Sequence, residues 1–205
     1  LGNQKRRHLS VMRAPPKGFT LVELAVTIAI LALLLGLGVP GFTTYSQSAK
    51  LRNAAESFFS GVQRARTEAI RSNETIELVL TEDVPDSANV NTLGLSPTGR
   101  NWAVRAPGRV AGNQLIDFRM GSEGKGDAVV VSASTPGGAV NLLRFNGLGV
   151  LTAPAGLVTV AFTHQNLNLA CSINEGVRCV NVRVSPGGQA RLCEPGRPAT
   201  DSRSC

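Results

Sequence analysis

The chain has 205 residues and a net charge of +7, which arises from 21 lysines and arginines against 14 acidic residues. Five of these bases (Lys5, Arg6, Arg7, Arg13 and Lys17) lie in the first 17 residues, which contain no acid, and setting them aside leaves 16 bases against 14 acids. The basicity is therefore too local to indicate a nucleic-acid-binding protein, and the length allows one membrane helix and one sizeable globular domain.

The residues that enzymes and metal sites need are scarce in this sequence. Beyond the first 17 residues the only histidine is His164, and the acidic residues are not clustered. The sequence has neither a Gly-x-Ser-x-Gly motif nor a phosphate-binding loop, and its four cysteines lack the Cys-x-x-Cys spacing of zinc sites. We therefore expect no catalytic residues, no bound metal and no cofactor.

The apolar run Phe19–Val39 contains 21 residues and a single ionisable group, Glu23. A helix of this length spans roughly 30 Å, which is the thickness of the hydrocarbon core of a bilayer. The sequence therefore predicts a transmembrane helix over residues 19–39. A carboxylate inside a membrane helix costs about 2.5–3.5 kcal/mol, so we expect Glu23 to find a partner there.

The residues before this run form a short basic leader, 1–18. The basic residues are expected to keep the amino end in the cytoplasm. Because position 1 is leucine, the start is expected either at Met12, which opens the compact stretch Met-Arg-Ala-Pro-Pro-Lys-Gly, or at Leu1 read from a non-standard start codon. A secretory signal is cut after its apolar region, whereas here the small residue Gly18 precedes the apolar run.

The sequence Gly18-Phe19-Thr20-Leu21-Val22-Glu23 resembles the class III signal of type IV pilins and pseudopilins. The resemblance implies that a prepilin peptidase cleaves after Gly18 and that the new terminus, Phe19, is N-methylated. It also implies that the amine freed in one subunit meets the Glu23 carboxylate of a neighbour during filament assembly. Pro40 falls where many pilins have a helix-kinking proline.

Pro40-Gly41 is expected to interrupt the helix as it leaves the membrane, and residues 40–73 are predicted to be an amphipathic helix that ends at Asn73. Within this range, apolar residues recur at steps of three and four and predict a helix face that packs against a sheet. The members of this stripe are Leu51, Ala55, Phe58, Val62, Ala65 and Ala69. The segment Ala65–Ile70 resembles the "ARSEAI" stretch of the GspH/FimT/FimU group of minor pilins and pseudopilins.

From Thr75 onward the apolar residues recur with the period of two that is typical of strands, so residues 74–205 are predicted to form a β-rich head. The strand candidates are Thr75–Thr81, Trp102–Arg105, Gln114–Arg119, Ala128–Ser132, Val140–Phe145, Leu157–Thr163, Val177–Val184 and Gln189–Leu192. The polar segment Asp83–Asn101 is expected to be a surface loop. The predicted class is α+β, with a long helix packed on an antiparallel sheet, as in the pilin fold.

All four cysteines, Cys171, Cys179, Cys193 and Cys205, lie in the last 35 residues. In an oxidising compartment they predict two disulfides. Of the three possible pairings we favour the local one, Cys171 with Cys179 and Cys193 with Cys205. Residues 194–205 are too rich in proline, serine and glycine to pack, and the second disulfide would hold them against the head as a closed loop.

FimT-type pilins that bind DNA have a Gly-Arg-x-Arg motif near the C-terminus, and this chain has Gly188-Gln189-Ala190-Arg191 at the matching place. The first arginine of the motif is therefore missing. Four further arginines could add to a basic patch around Arg191: Arg178, Arg183, Arg197 and Arg203. No aromatic residue for base stacking follows Ala170, so we do not favour DNA as a partner.

These features together favour a structural subunit of a filament over an enzyme. The resemblance implies a minor pilin or pseudopilin of a type IV pilus or of a type II secretion pseudopilus, with a position near the filament tip. The implied partners are other pilins of the same filament, the prepilin peptidase and the bacterial inner membrane, with the head in the periplasm. The DNA-binding minor pilin remains as the alternative function.

Overall fold

The structure is a computed structural model that describes residues 18–121, 129–165, 171 and 176–205, with the backbone alone for residues 37–42. The leader up to Lys17 and the predicted strand start at Ala128 lie outside these residues. The chain divides into two compact units, Leu1–Gly41 and Phe42–Cys205.

Helix α1 runs from Leu21 to Ser72. The predicted interruption at Pro40-Gly41 is wrong, because both residues are helical in the structure. A proline removes one backbone donor from the helix, and the hydrogen bonds on either side can hold the helical path. A kink at Pro40 stays a prediction. None of the helical residues that the structure describes form a stretch long and apolar enough to cross a membrane.

Ten strands follow α1 in the described part of the chain, and the pairs between them are antiparallel. Their bounds are β1 Ile76–Thr81, β2 Asn101–Arg105, β3 Leu115–Arg119, β4 Val129–Thr135, β5 Gly138–Ala139, β6 Leu142–Phe145, β7 Leu151–Ala153, β8 Val158–His164, β9 Val180–Val184 and β10 Ala190–Cys193. They form two five-stranded sheets with the orders β3-β2-β1-β6-β7 and β10-β9-β8-β4-β5. Each of the eight predicted strands is present, with altered ends. The two that were not predicted, β5 and β7, have two and three residues, too few for a periodic pattern.

One hydrophobic core joins the helix stripe to both sheets. All six predicted stripe residues are at most 1% exposed, which confirms the predicted packing face. The ring of Phe58 lies 5.9 Å from that of Phe162 on β8. At Gly61, a Cβ would lie 2.9 Å from the indole of Trp102 on β2, so glycine lets the helix approach the first sheet closely.

The segment 83–101 is more than a surface loop. Val90 and Leu93 are buried and pack with Val79 and Ala103 on the other face of the first sheet. At Gly99 a Cβ would collide with the backbone of Thr81, so the segment lies directly against β1. This first strand is therefore buried on both faces, and all six residues of β1 are buried.

The end of α1 meets two turns of the second unit. Asn73 has a φ of 53°, which is the left-handed conformation that commonly ends a helix, so the predicted stop is confirmed. A Cβ at Gly147 would collide with the Asn73 side chain, and one at Gly188 would collide with the carbonyl oxygen of Gly149. Arg66 donates to that same oxygen at 3.1 Å. These close approaches fix the β9–β10 turn, which contains Gly188.

Candidate functional site

Thr20 and Glu23 organise the start of α1. The Thr20 hydroxyl accepts the backbone N–H of Glu23 at 3.2 Å, so Thr20 occupies the N-cap position and Glu23 is the third residue of the first turn. Threonine with glutamate three residues later is the capping-box pattern, and a carboxylate at this end complements the helix dipole. Within the described part of the chain, no basic side chain forms an ion pair with this carboxylate.

The rest of the first unit presents apolar side chains that the unit itself leaves uncovered. Each of the following exposes more than half of its surface: Leu21, Val22, Leu24, Val26, Ile28, Ile30, Leu31, Leu33, Leu34 and Leu35. A continuous apolar surface of this kind indicates contact with lipid or with other protein chains. Glu23 therefore lies at one end of an apolar surface that is available for association.

The two disulfides have the predicted local pairing, Cys171 with Cys179 and Cys193 with Cys205. The first one secures a segment that contacts α1, because the backbone N–H of Arg178 donates to the Ser48 hydroxyl at 3.2 Å. The second one closes the tail segment, which we define as Glu194–Cys205.

The tail segment is ordered by its own ion pairs, contrary to the expectation that it would not pack. Arg197 lies between Glu194 and Asp201, with N–O distances of 2.6 and 2.8 Å, and its side chain is 11% exposed. Arg203 contacts Asp201 at 3.2 Å. The hydrogen bonds that Arg203 and Arg197 donate lower the pKa of Asp201 to about 2. Arg197 and Arg203 are thus neutralised locally rather than available to phosphates.

The other predicted arginines separate into two places. Arg183 on β9 lies directly opposite Arg191 on β10, and we call these two residues the arginine pair. Both guanidinium groups donate to the main-chain oxygen of Cys205, Arg191 at 3.5 Å. Arg178 is exposed on the segment that contacts α1. The structure therefore brings two of the five proposed DNA-binding arginines together and leaves three outside that cluster.

Sequence reasoning missed two buried acids that stabilise the second unit. Glu68 is not a member of the apolar stripe, yet it is 6% exposed and contacts Arg71 at 2.7 Å and Arg109 at 2.9 Å. Hydrogen bonds from these two arginines lower its pKa to about 2. Glu77 on β1 lies between the cross-strand arginines Arg105 and Arg144, at 2.8 and 2.7 Å. Arg105, Arg109 and Arg144 are too distant in sequence from these acids to leave a local signal.

Glu68 and Glu77 stabilise the fold and show no geometry for catalysis. Neither belongs to a metal site, since the described residues contain no group of three or more His, Cys, Asp or Glu side chains that could hold an ion.

Comparison with known proteins identifies the family of this chain. The family model described as Type II transport protein GspH matches residues 54–188, which is more than half of the chain. The prokaryotic N-terminal methylation motif matches residues 14–39. The type IV narrow pilus major component PilA5 of Thermus thermophilus is 34% identical over 93 residues, which are 44% of this chain and 71% of that protein.

Two solved structures align with this chain at low sequence identity. The type IV minor pilin FimU of Pseudomonas aeruginosa aligns with a TM-score of 0.49 and 19% identity, over 77% of this chain and 95% of its own. The minor pseudopilin EpsH of the Vibrio cholerae type 2 secretion system aligns with a TM-score of 0.46 and 13% identity, over 72% and 99%. The assignment itself rests on the family model and on the sequence relative. The chain belongs to the GspH family of type IV pilin-like proteins and pseudopilins, which are structural proteins and not enzymes.

Proposed function

We propose that this protein is a minor pilin or pseudopilin that a prepilin peptidase cleaves after Gly18 and that is then methylated at Phe19. Residues 19–39 anchor it in the bacterial inner membrane, with the second unit in the periplasm, until it enters a filament near the tip. The match of the methylation motif to residues 14–39 supports this processing. The intact mass of the membrane-extracted protein tests it, because retention of Lys17 and Gly18 would contradict it.

The observation that carries this proposal is the placement of Glu23. Its carboxylate has no basic partner among the described residues, and exposed apolar side chains follow it along the helix. An amine freed by cleavage in a neighbouring subunit is a matching charge. Bringing the two together removes the cost of two isolated charges in lipid. Glu23 therefore contributes to filament assembly and not to the fold of the single subunit.

Replacing Glu23 tests this role. We expect Glu23→Val to leave the amount of membrane-inserted protein unchanged and to reduce the amount recovered in sheared filaments or with co-purified pilins. Glu56→Gln is the matched control, since Glu56 is an exposed acid in the second unit whose partner, Arg52, lies one turn away. Filament recovery at the wild-type level for Glu23→Val would refute the pairing.

Of the two machines that use such subunits, we place the pilus first and the secretion pseudopilus second. The similarity to a pilus component favours the pilus, and the family model, which is named for type II transport, favours secretion. Deleting the gene in its host distinguishes the two, because loss of surface filaments with normal protein secretion indicates the pilus. Loss of secreted proteins with normal filaments indicates the secretion machine.

A second candidate function, DNA binding, depends on the arginine pair, because Arg197 and Arg203 are neutralised within the tail segment. A gel-shift titration of the detergent-solubilised chain tests it. We expect binding to weaken as salt rises and to be reduced in Arg183→Ala and Arg191→Ala. Arg64→Ala, which alters an exposed helix position, is the control. Absence of binding at low salt would remove this candidate.

A further inference from the structure

The two positive charges of the arginine pair lie close together, so their repulsion has to be offset by a neighbouring group. Arg183 and Arg191 face each other across β9 and β10, with the buried residues Val182 and Val184 on either side of Arg183 pointing to the core. Like charges directly opposite each other in an antiparallel pair repel. Among the described residues, no aspartate or glutamate side chain forms an ion pair with either arginine.

The two guanidinium groups contact the same oxygen atom. The main-chain oxygen of Cys205 accepts a hydrogen bond from each arginine. The same two arginines line a cavity of 260 Å³ whose other walls include Leu157, Ser185 and Gln189. Two guanidinium groups converging beside an open, partly polar cavity match the oxygens of a phosphate group, because guanidinium groups donate charge-assisted hydrogen bonds to such oxygens.

The oxygen of Cys205 is held in place by the tail segment. The disulfide ties Cys205 to Cys193, the last residue of β10, and backbone hydrogen bonds from Glu194 to Arg203 and from Ser204 to Asp201 order the residues between them. A tethered group competes with a free ligand at a high effective concentration. The tail segment therefore acts as an internal occupant of the space that a ligand oxygen would take.

We propose that Arg183 and Arg191 form a binding site for a phosphate group and that the disulfide-held tail segment masks it. The site admits a ligand in proportion to the fraction of molecules in which Cys205 has left the pair. The proposal concerns the regulation of the surface on which the DNA candidate rests. It also applies to inorganic phosphates, which share the same chemistry.

Isothermal titration of the detergent-solubilised chain with inorganic tripolyphosphate tests the masking. We expect the double variant Cys193→Ser/Cys205→Ser to bind about tenfold more tightly than the wild type, because the site is then open for a larger fraction of the time. Adding Arg191→Gln to this variant should abolish the gain. The control Cys171→Ser/Cys179→Ser removes the other disulfide and should bind like the wild type.

A variant that keeps both disulfides tests the proposal even if the double variant misfolds. Arg197→Gln removes the central ion pairs of the tail segment and should also tighten binding, by a smaller factor. Trp102 fluorescence reports on the core of each variant, because this residue is the only tryptophan and is buried. The proposal is overturned if neither variant gains affinity, or if the gain survives Arg191→Gln.

A second arm with a single-stranded oligonucleotide identifies the source of the phosphate. A gain with both probes supports masking and shows that a phosphodiester backbone fits the opened site. A gain with tripolyphosphate alone supports masking while it removes the DNA candidate. DNA binding of equal strength in the wild type and in the double variant contradicts masking and leaves the DNA candidate standing.

Discussion

The two halves of α1 have the same backbone conformation, but they differ in how far their apolar side chains are exposed. In the first half, ten aliphatic residues from Leu21 to Leu35 are more than half exposed. In the second half, the six residues of the stripe are at most 1% exposed because both sheets pack against them. The second half buries its apolar surface within the chain, whereas the first half leaves it exposed.

The acidic residues of the two halves differ in the same way. Glu23 in the first turn has no basic partner in the described part of the chain, whereas Glu68 in the second half is buried between Arg71 and Arg109. One carboxylate is compensated within the chain, and under the proposed function the other pairs with a second molecule. Position along this helix therefore decides whether a carboxylate has a basic partner among the described residues.

The largest expected effect separates the two halves by their contribution to stability. Phe58→Ala should lower the free energy of unfolding by about 3–5 kcal/mol, because it empties a buried ring position beside Phe162. Leu31→Ala in the first half should change it by less than about 0.5 kcal/mol. Denaturant unfolding of the detergent-solubilised chain, followed by Trp102 fluorescence, measures both. Equal losses would mean that the first half is also part of the folded core.

A smaller effect tests the close contact that fixes the β9–β10 turn near the end of α1. Gly188→Ala should destabilise by about 2–4 kcal/mol, because Gly188 has a φ of 75° and an added Cβ would collide with the Gly149 carbonyl. Its neighbour provides the control: a Cβ at Gly187 would meet only the Ser185 hydroxyl, at 3.8 Å. The same unfolding measurement applies. A loss for Gly187→Ala as large as that for Gly188→Ala would show that the contact with Gly149 is not the cause.

The smallest effect concerns the compensated carboxylate. The pKa of Glu68 is lowered from 4.5 to about 2 in the folded protein, so its contribution to stability is complete above pH 4.5 and is lost as the pH falls toward 2. Glu68→Gln should cost about 2 kcal/mol at pH 7 and should flatten the stability curve in that acidic window. Glu56→Gln, at an exposed pair one turn apart, should cost less than about 0.5 kcal/mol.

One result of the pH series would contradict the role predicted for Glu68. If Glu68→Gln loses stability between pH 4.5 and pH 2 as steeply as the wild type does, then other carboxylates cause the acid transition. Glu77 is then the next acid to replace, because it is equally buried between Arg105 and Arg144.

Several features were predictable because their causes are local in sequence. The stripe from Leu51 to Ala69 follows from helical periodicity, the helix stop at Asn73 from the residue type, and the disulfide pairing from short separations. The segment 83–101 was not predictable in the same way. Its composition is polar, and only contact with the outer face of β1 shows that Val90 and Leu93 complete a second core.

The sequence by itself determined the order of the parts: a basic leader, an apolar run with one acid, an amphipathic helix and a set of short strands. The tertiary structure decided which charged residues have partners and which partners these are. Glu68 pairs with Arg109 across 41 residues, Glu77 pairs with Arg144 across 67, and the arginine pair meets an oxygen from the far end of the tail segment. Periodicity records which side of an element is apolar. The partners of a buried charge depend on how the strands are ordered in the sheets, which no local pattern specifies.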